Sequence, residues 1–279
     1  MDGKNMDEQS SPADAKDRIS EVALGSVLVS LMDPTPGLEV EFHRWYERDH
    51  FYSGCMMGPG FFSGRRFVAT RALKQLRYPK DTPVTDDVMK GSYLALYWIV
   101  KGHHDETQAW AVRQVNQLID QGRMLDSRSP AQAGFYRHRW NVFRDPDGVP
   151  AELALEHPFA GVAMLMVDRA QGVSAEALDR WYRDDYLPGA LACTKASMCI
   201  ALDPIPLPDD APSYVPRPAG LDRRSLFLYF LDSSPLSCWS EFLSEQGELL
   251  ASQGLGEVTY AAPFIPTIPG SDRYADELW

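Results

Sequence analysis

Two neighbouring residues in the stretch "FHRWYERDHF", positions 42 to 51, could do acid/base chemistry: Asp49 and His50. A neutral imidazole is the natural proton acceptor near pH 7. A carboxylate beside it could orient the ring or work with a raised pKa. On an α-helical wheel with Phe42 at zero, Trp45, Tyr46 and Asp49 fall within about 60° of Phe42, and His50 lies at about 80°. That places Asp49 in the middle of an apolar face and His50 at its edge. A carboxylate there is costly unless it is paired. Its plainer role is to tie the helix to a backbone N–H or an arginine. Downstream, "GFFSGRRFV" alternates as a strand, so Arg65 and Arg66 point to opposite faces and one of them looks toward the helix. His50, Asp49 and Arg66 are the catalytic candidates. Trp45, Tyr46 and Arg65 are expected to contact substrate. Tyr93 and Tyr97 share one strand face and could supply phenol donors, and Tyr136, His138 and Trp140 share another.

The other ionisable residues carry less. His103, His104, Asp105 and Glu106 are consecutive in a strand-to-helix connection, where adjacent side chains rarely converge on one ion; a solvated loop is the reading. His43 falls on the polar side of the wheel, and His157 precedes a proline. Cys55, Cys193, Cys199 and Cys238 form no CxxC pair, so no metal site or redox motif is signalled. No phosphate-binding glycine loop, GxSxG or HExxH is present. Chemistry by side chains alone, with no cofactor and no metal, is therefore expected.

The elements that must position these residues occur twice. "RWYERDHF" at 44–51 returns as "RWYRDDYL" at 180–187, with Tyr186 in place of His50. Each copy is preceded by an apolar strand, "EVALGSVLVSLMD" or "FAGVAMLMVDR", and Ser174 is an N-cap candidate for the second helix. After each copy come a strand, a long polar or proline-rich connection, a third strand, a helix with a tryptophan (Trp110 or Trp239) and a closing strand. The order is βαββαβ twice, the ferredoxin-like unit. The third strands, "SYLALYWIV" and "SLFLYFLD", are apolar on both faces. Helices cover one face, so the other needs the opposite half's sheet.

The predicted architecture is α+β: two tandem ferredoxin-like repeats whose antiparallel sheets pack face to face as an intramolecular barrel. The expected divisions are a disordered segment 1–20, a candidate active half 21–148, a second half 149–268 and a tail 269–279. The polar N-terminal stretch has no apolar core of a signal peptide, and no run approaches the ~18 apolar residues of a membrane span. Of 279 residues, 44% are hydrophobic and 24% charged, and the formal net charge is −12. This acidity argues against nucleic acid and anionic membranes as partners. With isolated cysteines, the reading is a cytoplasmic protein, a monomer with an internal pseudo-dimer or a homodimer.

The helix "FHRWYERDHF" followed by "PGFFSGRRF" resembles the dimeric α/β-barrel superfamily, in particular its EthD-like and muconolactone-isomerase-like branches. The second copy, "RWYRDDYLPGAL", keeps the Leu187-Pro188 pair but lacks the histidine. The likeness covers most of residues 23 to 268. It implies a lyase, isomerase or cyclase acting without cofactor on an apolar aromatic small molecule. The same superfamily includes cofactor-free and haem-assisted monooxygenases, and a non-catalytic binder of a hydrophobic metabolite also fits. The resemblance raises the weight of His50. The working site is expected in the N-terminal half because the second copy has Tyr186, Ala201 and Leu202 where the first has His50, Arg65 and Arg66, and a phenol is a poor general base near neutral pH.

Overall fold

The computed structural model describes residues 22 to 279 except Pro212, Tyr214 and Pro218. The expected disordered segment 1–20 lies outside the described residues. Strand β1 (Leu24–Pro34) leads into helix α1 (Glu39–Trp45), which continues without a break into π-helical turns Tyr46–His50 and Tyr52–Met56. Then follow β2 (Phe61–Val68), a short α2 (Arg71–Lys74), β3 (Tyr93–Val100), α3 (His104–Asp120) and β4 (Arg128–Phe143). The second half runs β5 (Gly161–Arg169), α4 (Ala175–Arg180) with a π-helical turn Trp181–Tyr186, α5 (Leu187–Ala192), β6 (Ala196–Ile205), β7 (Arg224–Leu231), α6 (Pro235–Phe242), α7 (Gln246–Ser252) and β8 (Gly256–Pro266). Ser174 caps α4, its side chain accepting from the Ala177 N–H at 3.2 Å.

All eight strands close into one antiparallel barrel in the order β1-β3-β2-β8-β5-β7-β6-β4. Each half contributes a four-stranded sheet, β4-β1-β3-β2 or β8-β5-β7-β6. The seams differ. β4 pairs β6 from Phe135↔Ile205 to Phe143↔Met198, whereas β2 meets β8 at Phe67↔Pro266 and Val68↔Ile265. The sheets therefore join edge to edge as well as facing each other, which leaves no open strand edge between the halves. This is the dimeric α/β-barrel architecture closed within one chain.

Strand alternation sorts the apolar residues into an inner core and two outer layers. Leu94, Leu96 and Trp98 point into the barrel against Met164, Leu228 and Phe230 of the other half. Tyr93, Ala95, Tyr97 and Ile99 point outward under α1 and α3, and Phe227 and Tyr229 do the same under the second half's helices. Burying side chains of this size stabilises by roughly 1.5–3 kcal/mol each, so neither half-sheet is self-sufficient.

The long connections cross between halves. In the β2–β3 connection the buried Arg77 guanidinium donates to the carbonyls of Val88, Lys90 and Gly91. Tyr78 pairs with Ala261 on β8 and packs on Trp239. The β6–β7 connection reaches the other way, bringing Leu207, Ala211 and Val215 over the first half's helices. The expected C-terminal tail is also part of the packing. Leu278 is buried in the first half's outer layer, the buried Lys74 donates to its carbonyl at 3.1 Å, and Arg44 pairs with Asp272.

Candidate functional site

The outer layer of the first half contains a cavity of about 110 Å³ between α1 with its π turns, α3 and the sheet. Its wall includes Tyr46, His50, Gly54, Tyr97, Phe135 and Val215. Its polar side chains are those of Ser30, Tyr46, His50 and Tyr97, and the rest of the lining is apolar. For scale, a closed cavity of roughly 150 Å³ holds a benzene ring; this one is smaller but opens to solvent, so a ring substituent can extend out of it.

The π turns explain how His50 reaches that wall. A π turn closes i→i+5 and is rare in helices. Here it stacks residues five apart: the Trp45 and His50 rings lie 4.6 Å apart at 16°. The second half repeats the device, with Trp181 and Tyr186 at 4.9 Å and 4°. The extra residue per turn rotates everything beyond Tyr46 away from the α-helical wheel. His50 consequently moves from the edge to a buried position, 7% exposed. Asp49 moves the other way, to a half-exposed position paired with Arg123. The expectation of Asp49 on the buried face is corrected, and so is that for Asp185, which is exposed.

Gly54 completes the seat of His50. A Cβ there would stand 2.7 Å from Cε1 and 2.8 Å from Nδ1 of the ring. Nδ1 is buried with no hydrogen-bond partner. Burial, with the charges of Arg128 and Arg66 opposing protonation, pushes the His50 pKa down to about 4. The imidazole is therefore neutral at pH 7. Opposite it, Tyr97 O–H donates to the Tyr46 oxygen at 3.2 Å. Burial raises both phenol pKa values well above the usual range, so both are neutral donors. Cys55, also on the wall, is pushed up to about 12 by burial and is an inert thiol.

Arg66 is the strand-2 arginine that faces α1. It is 5% exposed, with its guanidinium 4.4 Å from the Tyr46 ring centre and 5.1 Å from that of Tyr93. Its Nη1 reaches Nδ1 and the carbonyl oxygen of His43 at 3.4 and 3.3 Å. His43 is buried rather than on the polar side, holding Glu47 and the Ser271 carbonyl. Tyr93 and Trp45 stand behind the cavity wall; the Trp45 indole donates to the Arg123 carbonyl.

The remaining candidates lie elsewhere. Arg65 donates to the carbonyls of Leu155 and His157 and so pins the inter-half linker. Tyr136 points into the barrel core beside Gln132. His138 hydrogen-bonds Asn141 and lines a separate polar groove with Arg137 and His104. Trp140 does not share the face of Tyr136. A bulge between His138 and Trp140 reverses the alternation, and Trp140 packs on Phe227 of the second half. His104 is partly buried, with Nδ1 3.0 Å from Ser26 Oγ. The wall residues Gly54, Cys55, Phe135, Leu207 and Val215 had no signal in the sequence beyond apolarity. The second half's corresponding place is polar: Gln246, fully buried, bonds Tyr186 and Tyr229, Tyr186 and Gln246 border a separate pocket, and Tyr78 of the first half packs in the same cluster.

No protein-family model matches the chain, and no curated protein matches it in sequence. Among solved structures it is similar to an anthrone oxidase-like protein, with TM-score 0.54 and 9% identity over 90% of this chain and 96% of that one. It is also similar to a DypB variant from Rhodococcus jostii RHA1 in complex with heme, with TM-score 0.50 and 10% identity over 91% of this chain and 96% of that one. At such identities the likeness is one of fold: the chain has a dimeric α/β-barrel fold. Haem does not fit the cavity of this chain. The space is near that of one small ring, and His50 is held between Trp45 and the backbone at Gly54 with Nδ1 enclosed. Among the described residues no three His, Cys, Asp or Glu side chains are grouped to hold a metal ion, and no helix is long and apolar enough to cross a membrane.

Proposed function

We propose that this chain is a cofactor-independent enzyme of the isomerase, lyase or cyclase type, acting on a small apolar ring compound by side-chain proton transfer. The observation that carries it is the neutral His50 imidazole, buried on the wall of an apolar cavity beside the hydrogen-bonded phenols of Tyr46 and Tyr97. Apolar walls with a few convergent polar groups suit such ligands. In this reading His50 accepts a proton from a C–H next to a carbonyl, and Tyr46, whose oxygen accepts from Tyr97, donates to the oxygen that gains charge. Returning the proton elsewhere on the ring is an isomerisation; expelling a leaving group is an elimination. The low pKa of the free enzyme's His50 does not oppose this, because an enolate formed beside the imidazolium stabilises it. The two halves are taken as diverged copies of one unit, 21–148 carrying the site and 149–268 serving as its structural partner.

A second reading, direct oxygenation of the deprotonated ring, is favoured by the fold likeness to the anthrone oxidase-like protein. One experiment separates them. Cyclic ketones and phenols are incubated with the enzyme in D2O, and deuterium uptake and oxygen consumption are followed together. Deuterium uptake that disappears in His50→Gln without oxygen consumption supports the first reading, and His50-dependent oxygen consumption supports the second. Equal rates for wild type and His50→Gln would sink both.

A further inference from the structure

Arg66 is a buried cation without a counter-ion. No carboxylate oxygen lies within ion-pair distance of it among the described residues, and its Nε and Nη2 are buried without partners. The nearest carboxylate on α1 and its π turns, Glu47, is engaged by His43 Nε2 at 3.2 Å and by the Gly270 N–H. From β3, only the neutral phenols of Tyr93 and Tyr97 face it. Taking a guanidinium out of water without a partner costs several kcal/mol. A charge so placed favours any negative charge that forms nearby, because few intervening groups screen it.

The cavity is the nearby space. Tyr46 lines the cavity, and its ring centre stands 4.4 Å from the Arg66 guanidinium carbon, which itself does not line it. Tyr97 donates to the Tyr46 oxygen, so the Tyr46 proton is left for an acceptor other than Tyr97. The arrangement is a fixed cation behind the wall, a phenol against it and a neutral imidazole 5.1 Å from that phenol ring, on a largely apolar cavity.

We infer that the site selects ring compounds bearing an acidic hydroxyl, phenols or stable enols, and binds them as their anions, with Arg66 the positioning residue that supplies the counter-charge through Tyr46. The inference rests on the small-ring reading of the cavity. The anion's oxygen accepts from Tyr46, and the ring fills the apolar remainder. The hydroxyl proton is released to solvent on binding, so charge is conserved and His50 stays neutral.

The test uses 4-nitrophenol, whose anion absorbs near the visible, and nitrobenzene as a ring of similar size with no acidic proton. Both are titrated into the full-length protein over a range of pH. Expected is an ionisation of bound 4-nitrophenol shifted downward by about one pH unit, equivalent to roughly tenfold tighter binding of the anion. Arg66→Met should abolish the shift while nitrobenzene binds as before, and Arg66→Lys should restore part of it. A normal ionisation of bound 4-nitrophenol in wild type overturns the inference and leaves the small-ring reading standing. A shift that survives in Arg66→Met overturns the role of Arg66. If neither compound binds, the cavity reading itself fails. The wild-type measurement decides the ligand class even if Arg66→Met does not fold.

Discussion

His50 and Tyr186 occupy corresponding points of two π-helical turns, each stacked on the tryptophan five residues before it. Their surroundings differ, and so should their substitutions. His50→Gln is expected to reduce proton exchange or turnover by roughly 10²-fold. Tyr186→Phe removes the acceptor that Gln246 Nε2 uses at 3.1 Å, so it should cost about 1 kcal/mol of stability and leave turnover unchanged. Steady-state rates and denaturant melts of the two variants check the pair. His50 also has a pH signature. Its folded pKa, about 4, lies below the unfolded value of about 6.5. The unfolded chain therefore binds a proton that the folded protein refuses. That contribution is complete above about pH 6.5 and is lost as pH falls toward about 4, an amount on the order of 3 kcal/mol. The acid limb of kcat/KM should accordingly fall near 4 rather than near 6.5. Wild type and His50→Gln melted from pH 8 to pH 4 should diverge in slope, and parallel curves would refute the assignment. Asp49, half-exposed and paired with Arg123, falls in the class of surface pairs worth about 0–1 kcal/mol. Asp49→Asn should leave turnover near wild type.

The π turns are the element on which the site depends. They bring residues five apart into register, and Gly54 lets the ring of His50 close against the helix backbone. Gly54→Ala places a Cβ within 2.7 Å of the ring. Either the imidazole leaves its stack with Trp45 or the helix shifts. We expect a loss of roughly 1–3 kcal/mol, typical of overpacking, together with weaker binding of small rings. Thermal melts and nitrobenzene titrations measure the two effects. Unchanged affinity would mean that His50 does not need its seat. The same turn recurs as Trp181–Tyr186, where Tyr186 borders a pocket with Gln246 and the acidic Glu241, Glu245 and Glu248 instead of an apolar one. The turn makes a stacked pair in both halves, and the residues around it set the polarity of the space beside it.

The whole molecule is a closed barrel whose interior is shared. Leu96 and Trp98 of one half meet Leu228 and Phe230 of the other. Residues 21–148 expressed alone would uncover that inner face and two strand edges. The same holds for 149–268. Each half should dimerise or aggregate, and mixing them should restore a monodisperse one-to-one complex by size-exclusion chromatography with light scattering. A stable monomeric half would contradict this. The cavity adds a second dependence, since Leu207 and Val215 of the second half line a site whose ionisable groups come from the first. An isolated first half should thus lose ring binding even where its own secondary structure persists.

What the sequence by itself determined is the order and type of the elements. The repeated octapeptide, the two-faced apolar strands and the tryptophan-bearing helices carry local signals, namely side-chain period and composition, and those signals do not depend on neighbours. They were enough for two βαββαβ units with a shared interior, but they left open which of Arg65 and Arg66 faces the helix. The tertiary structure decided which way individual side chains point. A π turn adds one residue per turn and a bulge adds one residue to a strand. Each leaves no mark in composition, yet each reverses the facing of everything beyond it, as Asp49 and Trp140 show. It also decided that loops cross between halves, so that Tyr78 packs on Trp239 of the second half and Val215 lines the cavity of the first. Such contacts join residues more than a hundred positions apart, and their energy comes from burial that only the closed barrel provides.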